Sequence, residues 1–489
     1  MEWSKEERYR RLEDASAEEI SELKARVDSC PWRQSYHIQP VTGLLNDPNG
    51  FSYYNGEYHL FYQWFPLGPV HGLKYWYHVR SKDLVHWEDV GIGIKPDSNF
   101  DNYGAYSGSA IEHEGKLYLI YTGNTRDEEW RRHPKQCLAV MDPQGNITKV
   151  NNPVISEVPE GYTEHFRDPK VWKEQDKFYT VIGAQRENET GTAVFYSSED
   201  LMKWNFQGEL VTKLQDFGFM WECPDYFQLQ DKGVFIFSPQ GLEPQGDNYR
   251  NIYQSGYVLG DKLDLKHRRL SHGEFHELDR GFDFYAPQTM EDTEGRRILV
   301  GWMGMGEVEY PTDKNGWAHC LTLPRELSIE NGRLIQKPIK ELESLRKKEY
   351  IVEDEACDEI KAYDELKGIT YELIGEFKNH DAEEFGIEFR ASEEERTVIK
   401  YDALQKKLIL DRSSSGEEFG SEYGSVRACD FQGDTIKLQL FVDVSSVEIF
   451  INDGQEVFTS RIFPKKNSRD IRIFATKGRT SFNMVKWDY

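Results

Sequence analysis

Cysteine is scarce and dispersed in this chain of 489 residues. The six cysteines (Cys30, Cys137, Cys223, Cys320, Cys357 and Cys429) show no paired spacing, which argues against both a disulfide framework and a zinc site. Long apolar runs are missing as well. None approaches the roughly 20 residues that a membrane-crossing helix needs. Basic charge is short: 60 Lys and Arg stand against 85 Asp and Glu, a formal net charge of −25. With no overall basic field, neither nucleic acid nor a membrane is an expected partner. The N-terminus has no apolar core of an export signal, and cytoplasmic placement is the expectation.

Aromatic residues are plentiful at 13%, which suits strands, because rings pack well on pleated surfaces. The length is ample for two domains with real cores. Residues 1–33 are charged and helical in pattern. Ser16-Ala17-Glu18-Glu19 reads as a capping box, Ile20, Leu23 and Val27 share one face, and the helix should stop before Pro31. This predicts a short N-terminal amphipathic helix packed on the domain that follows.

Residues 34–337 carry a repeat. Five segments share the form of an aromatic-apolar run, a polar turn and a second such run. They are 51–65 around Asn55-Gly56, 108–121 around Glu114-Gly115, 170–182 around Gln175-Asp176, 226–237 around Gln230-Asp231, and 288–302 around Glu294-Gly295. Such turns between strand-like runs signal hairpins. Gly56, Gly115, Asp176, Asp231 and Gly295 are 59, 61, 55 and 64 residues apart. A near-constant period with several strands per unit marks a β-propeller, here with five blades whose innermost strands line one funnel.

Three acidic motifs fall at one phase of that repeat: Asn46-Asp47-Pro48, Arg167-Asp168-Pro169 and Glu222-Cys223-Pro224. Counted back from the turns, Asp47, Asp168 and Glu222 take one position in blades one, three and four. Ser107 and Ala286 take it in blades two and five. Asp-Pro and Asn-Gly are ordinary turn chemistry, and each motif alone is weak. Their joint occurrence in phase is what predicts three carboxylates at one mouth of the funnel.

The repeat fades after residue 334. Residues 338–350 suit a helical linker. Residues 351–489 read as short alternating strands: Ile436, Leu438, Leu440 and Val442 alternate with Lys437, Gln439, Phe441 and Asp443, and Asn452-Asp453-Gly454 is a hairpin signal. A β-sandwich is expected there, with its charged positions forming a solvated face and a stabilising or dimer-forming role. Monomer and homodimer both stay open. The expected fold class is all-β: a five-bladed β-propeller followed by a β-sandwich, with a short N-terminal helix.

Carboxylates converging on a pocket point to splitting a glycosidic bond. In the retaining mode two of them sit about 5–5.5 Å apart; one attacks while the other protonates the leaving group. The pair must therefore differ in proton affinity. Asn46 beside Asp47 offers a donor to an ionised carboxylate. Trp221, Cys223, Phe219 and Met220 around Glu222 suggest apolar surroundings that disfavour charge. Asp47 is then the better nucleophile and Glu222 the better acid/base, although the reverse assignment stays open on the residues alone.

The ordered set Asn46-Asp47-Pro48-Asn49-Gly50, Phe61-Tyr62-Gln63, Tyr106-Ser107-Gly108-Ser109, Phe166-Arg167-Asp168-Pro169 and Glu222-Cys223-Pro224 resembles glycoside hydrolase family 32 over nearly the whole chain after residue 36. The resemblance implies a five-bladed propeller, a β-sandwich and retaining cleavage of β-fructofuranosides. It implies Asp47 as nucleophile and Glu222 as acid/base. Asp168 would hold fructose hydroxyls and steady the transition state, with Arg167 setting its charge. Leu44, Leu45, Asn46, Gln63, Trp76, Tyr106, Ser107, Arg167 and Trp302 would bind substrate, a small-molecule sugar. No metal or organic cofactor is implied.

The chain departs from many secreted family members at His71-Gly72-Leu73-Lys74-Tyr75-Trp76-Tyr77-His78, where His71 replaces the first of two tryptophans. This version resembles the intracellular bacterial branch that cleaves sucrose 6-phosphate. A dianion needs local cations in so acidic a protein. His71 with Lys74, and Arg132 with His133 in the Arg131 cluster, are the candidates for holding the phosphate, with a solvated loop as the plainer account of the Arg131 cluster. The rival functions are an inulin or levan hydrolase, a fructosyltransferase, a propeller that binds sugar without cutting it, and an arabinan-type glycosidase.

Overall fold

In the computed structural model, which describes residues 3–489, four of the five expected hairpin turns rest on a non-glycine residue in left-handed backbone. These are Asn55, Glu114, Gln175 and Gln230, with φ of 51°, 51°, 56° and 55°; Gly295 serves the fifth at φ 76°. Positive φ at such positions matches the twist of the strands they join. Met1 and Glu2, the start of the 1–33 extension, lie outside the described residues.

Each hairpin opens one propeller blade. The innermost strands are Gly43–Tyr54, Ala105–His113, Tyr162–Glu174, Met220–Leu229 and Tyr285–Glu291. Blades I to IV run antiparallel outward from them in sequence order. Blade V is completed by Arg297–Met303, Arg325–Glu330 and Arg333–Pro338. Blade I also gains Trp317–Ala318, which pairs parallel with Gly43 and Leu44 and so ties the last blade's connection to the first blade. Aromatic and aliphatic side chains fill the spaces between blades, with Phe61, Trp76, Leu119 and Tyr121 between blades I and II and Val181, Phe195, Trp221 and Phe237 between III and IV.

The N-terminal segment forms a short helix, Lys5–Arg8, and a longer one, Ala17–Asp28. Ser16 caps the second by accepting from Glu19 N, while the Glu19 carboxylate turns to Arg10 at 2.6 Å instead of closing a box. The full capping box sits at Ser4 and Glu7. A 12-residue helix is marginal by itself. Leu23 and Val27, buried against Tyr310, Trp317 and Phe463, anchor it at roughly 1.5–3 kcal/mol each.

After a 3-10 turn at Lys340–Leu345, the strands from Glu349–Cys357 to Thr480–Asp488 form two facing antiparallel sheets around one apolar core. The turn at Asn452 and Asp453 joins Ser446–Ile451 to Glu456–Arg461 as expected. The solvated charged face is corrected by the structure. Asp443, Glu448 and Arg461 are fully buried, because that sheet packs on blade V and on the residues leading into blade I. Arg325 of blade V reaches Glu448 at 2.6 Å and Asp279 at 3.1 Å. Gly454 belongs to the same seam: a Cβ there would stand 1.9 Å from Gln336 O.

Candidate active site

Every innermost propeller strand carries a β-bulge at the same level. Residues 46–47, 106–107, 168–169, 223–224 and 286–287 each face a single partner on the next strand. A bulge interrupts the alternation of side chains and re-aims them. Asp168 stands there at φ 68°, Cys223 and Ala286 at 48°. The expectation of one shared position for the three acids is therefore corrected. Asp47 is the second residue of its bulge, Asp168 the first of its own, and Glu222 directly precedes one. All three still face one cavity of about 450 Å³ at one end of the funnel, from blades I, III and IV.

Asp47 is surrounded by donors. Asn46 Nδ2 donates to Oδ1 at 3.1 Å and Gln63 Nε2 to Oδ2 at 3.3 Å, and the Ser107 hydroxyl donates to Oδ2 as well. Lys74 Nζ donates to Asn46 Oδ1 at 2.7 Å, which fixes the amide with its donor toward Asp47. Burial pushes the Asp47 carboxyl above its ordinary range and Glu222 adds to that, while Ser107, Asn46 and Lys74 oppose it. Burial also lowers the Lys74 ammonium to about 7.

Glu222 is held by three residues. Arg167 Nε and Nη2 donate to Oε1 at 2.9 and 2.7 Å. Gln240 Nε2 and Tyr285 Oη donate to Oε2 at 2.9 and 2.6 Å. This overturns the apolar surroundings read from its sequence neighbours. Trp221 points the other way, packing on Phe237 with ring centroids 4.5 Å apart, because adjacent strand residues face opposite sides. The carboxylate that Arg167 donates to is Glu222, while its charge also favours the Asp168 anion.

Asp168 accepts from Cys223 N at 3.0 Å. The Cys223 thiol lies 3.6 Å from Asp168 Oδ2 and 3.7 Å from Asp47 Oδ2, between the two carboxylates. Burial, and then the charge of Glu222, push the Asp168 carboxyl well above its ordinary range.

Of the other expected residues, Asn46, Gln63, Tyr106, Arg167, Trp302, His71, Lys74 and Arg132 line the cavity, and Ser107 reaches it through Asp47. Four do not. Trp76 is fully buried between blades and donates to Tyr106 O. Leu44 and Leu45 are core residues packed with Trp64 and Phe65, since both faces of that strand are covered. His133 is exposed and pairs with Asp127 at 3.0 Å. Arg131 joins it there, in ion pairs with Asp127 and Glu129 on the loop. His71 lines the cavity but is held neutral, its proton affinity pushed far down by burial.

Sequence reading missed Arg8, Tyr9, Gln240, Tyr253, Tyr285 and Glu307, all of which line the cavity. Tyr285 precedes the blade V bulge as Glu222 precedes that of blade IV, but the turn count matches Glu222 with Ala286 instead. Arg8 and Tyr9 had no signal, because they belong to no repeat. Among the described residues no cluster of His, Cys, Asp and Glu is arranged to hold a metal ion, and no helix is long and apolar enough to cross a membrane.

A propeller funnel presenting carboxyl groups, followed by a β-sandwich, defines the class as a carboxylate-dependent glycosidase. Residues 37–338 match the N-terminal domain model of glycosyl hydrolases family 32, and residues 341–488 match its C-terminal model. The chain belongs to this family. It is 48% identical over 487 residues to the sucrose-6-phosphate hydrolase of Staphylococcus xylosus, covering 100% of this chain and 98% of that one. The structure of the Lactobacillus gasseri sucrose-6-phosphate hydrolase superimposes with a TM-score of 0.94 at 40% identity, covering 100% and 99% of the two chains. A Bombyx mori family 32 β-fructofuranosidase superimposes at 0.84 with 35% identity, covering 98% and 99%.

Proposed function

We propose that this protein hydrolyses the β-fructofuranosidic bond of sucrose 6-phosphate, and of sucrose, with retention at the anomeric carbon. The observation that carries the reading is the opposition, across one cavity, of Asp47 among donors and Glu222 on Arg167, Gln240 and Tyr285. Full-length similarity to hydrolases of that name supports the substrate.

In this reading an Asp47 oxygen attacks the anomeric carbon of fructose. The bond to the glycosidic oxygen breaks, and Glu222 gives that oxygen its proton. Water then attacks the same carbon, loses a proton to Glu222 and releases Asp47. The donors on Asp47 favour the anion that attacks and the carboxylate that leaves. Arg167, Gln240 and Tyr285 aim Glu222. Asp168 holds fructose hydroxyls beside the positive charge that builds on the ring. The proposed division is a helical extension at 1–33, a catalytic propeller at 34–337, a linker at 338–350 and a supporting sandwich at 351–489, acting in the cytoplasm.

A panel of sucrose, sucrose 6-phosphate, raffinose, inulin and levan tests the substrate. Sucrose 6-phosphate should give the highest kcat/KM and the polymers the lowest. Faster cleavage of inulin or levan would overturn the reading in favour of a fructan hydrolase, and chiefly fructosylated products at high sucrose in favour of a transferase.

A further inference from the structure

Besides its three carboxylates, the cavity is lined by Glu307, which accepts from Tyr253 Oη at 3.0 Å, and by Arg8 and Arg132. Many arginines, Arg10, Arg131, Arg186, Arg280 and Arg296 among them, hold carboxylates. Arg8 and Arg132 in the lining, and Arg126 beside them, form no ion pair among the described residues.

Their geometry is built, not incidental. Arg126 and Arg132 face each other across the blade II hairpin. Arg126 lies 4.8 Å from the Trp130 ring centroid, with Lys5 Nζ 3.2 Å from the same ring. Arg132 lies 5.6 Å from the Tyr106 ring. Tyr9 packs on Trp130 and Tyr103 at 5.1 and 5.8 Å, which seats the N-terminal segment on blade II. Arg126 Nε is buried with no partner. Arg8 is held at one end only: Nε donates to Trp3 O at 3.4 Å and Nη1 to His71 O at 3.2 Å, leaving Nη2 uncommitted among the described residues. The backbone at Arg8 is fixed by Leu73 N, which donates to Arg8 O at 2.7 Å. Only glycine fits at residue 72, where a Cβ would stand 2.3 Å from that oxygen.

Of the lining residues, Asp168 and Lys74 are buried, Asp47, Glu222, Arg8 and Arg132 are partly exposed, and Glu307 is exposed. With fructose on Asp47 and Asp168, the leaving sugar extends along the same lining, which Arg8 and Arg132 share. Lys74 donates to Asn46 and burial pushes the proton affinity of His71 down, so the arginines are the stronger cations in the lining.

Resting on the reaction proposed above, we infer that Arg8 of the N-terminal segment and Arg132 of blade II together form the site for the dianionic 6-phosphate on the leaving glucose. Arg126 and Lys5 stand behind them and add to the field. Guanidinium suits this task because its fixed fork matches phosphate oxygens in pairs. The segment before the propeller is thereby a specificity element.

The test is kcat/KM for sucrose 6-phosphate relative to sucrose in the wild type, Arg8→Gln, Arg132→Gln and the two Lys variants, with a melting temperature for each. Each Gln variant should lower the ratio about tenfold or more, as loss of a charge-assisted contact does, and each Lys variant should recover part of it. Inhibition by glucose 6-phosphate should weaken in parallel, more than inhibition by glucose. Arg132 lies in a strand of the propeller itself, so it decides the matter if Arg8→Gln undocks the N-terminal segment, its melting temperature reporting on the fold. A ratio unmoved in Arg132→Gln overturns the site while leaving the hydrolase reading intact. A wild type that does not favour the phosphorylated sugar overturns the substrate reading first and the site with it.

Discussion

Asp47, Asn46 and Lys74 form a relay in which each group constrains the next. The ammonium occupies the amide oxygen of Asn46, so the amide nitrogen is the atom left for Asp47. The cation also favours the Asp47 anion directly, against the burial that disfavours it. Replacing Lys74 with Met removes that positive charge. The Asp47 pKa then rises, and the acid limb of kcat/KM for sucrose moves to higher pH. A limb that stays in place would show that Lys74 does not act on the nucleophile. Glu222 teaches the opposite lesson about neighbours in sequence. Its flanking Trp221 belongs to the inter-blade core, and its real partners come from 18, 55 and 63 residues away.

At the scale of elements, the period of the turns carried most of what could be read. Turn residues recur because each blade needs the same hairpin, and Pro169, Pro224 and Pro287 recur in bulges, where there is no ladder bond for a missing N–H to break. Five blades and the gathering of Asp47, Asp168 and Glu222 followed from that. The bulge itself was not legible, and it explains the errors. Side chains near it do not keep the period of two, so the acids take three successive register positions. Leu44, Leu45 and Trp76, which share motifs with true lining residues, turn into the core. The β-sandwich was legible from its alternation, but the destination of its charged face was not. Nothing local distinguishes a carboxylate facing water from one facing Arg325. Arg8 was invisible for a similar reason: its role depends on docking against residues more than 60 positions away.

At the scale of the molecule, propeller and sandwich are joined through buried charge. His37, just before blade I, donates to Asp443 at 2.7 Å and to Glu448 at 3.1 Å. Although burial opposes its protonation, these two carboxylates raise His37 from 6.5 to about 9. A raised histidine stabilises the folded state fully below its unfolded pKa and loses that contribution as pH climbs through its folded one. The window is therefore pH 6.5 to 9, and the loss across it is about 3 kcal/mol. Asp443 and Glu448 are shifted down, so their contributions are lost on the acid side, outside that window. Lys74, lowered to about 7, makes stability rise with pH above that value in the wild type and in His37→Gln alike, so the difference between the two isolates His37. His37→Gln should have the lower urea midpoint at pH 6.5, and the gap to the wild type should close as pH rises to 9; a gap that stays constant would assign the dependence elsewhere. The account as a whole turns on Asp47 as the atom that bonds to fructose. The most direct measurement is mass spectrometry of the Glu222→Gln variant quenched during turnover of a β-fructofuranoside with a good leaving group. Such a substrate needs no acid to depart, while release of the enzyme still needs the missing base, so the intermediate accumulates. The account predicts one hexosyl unit on the peptide containing Asp47. The unit found on the Asp168 peptide instead, or leaving group released with no adduct on the enzyme, would contradict it.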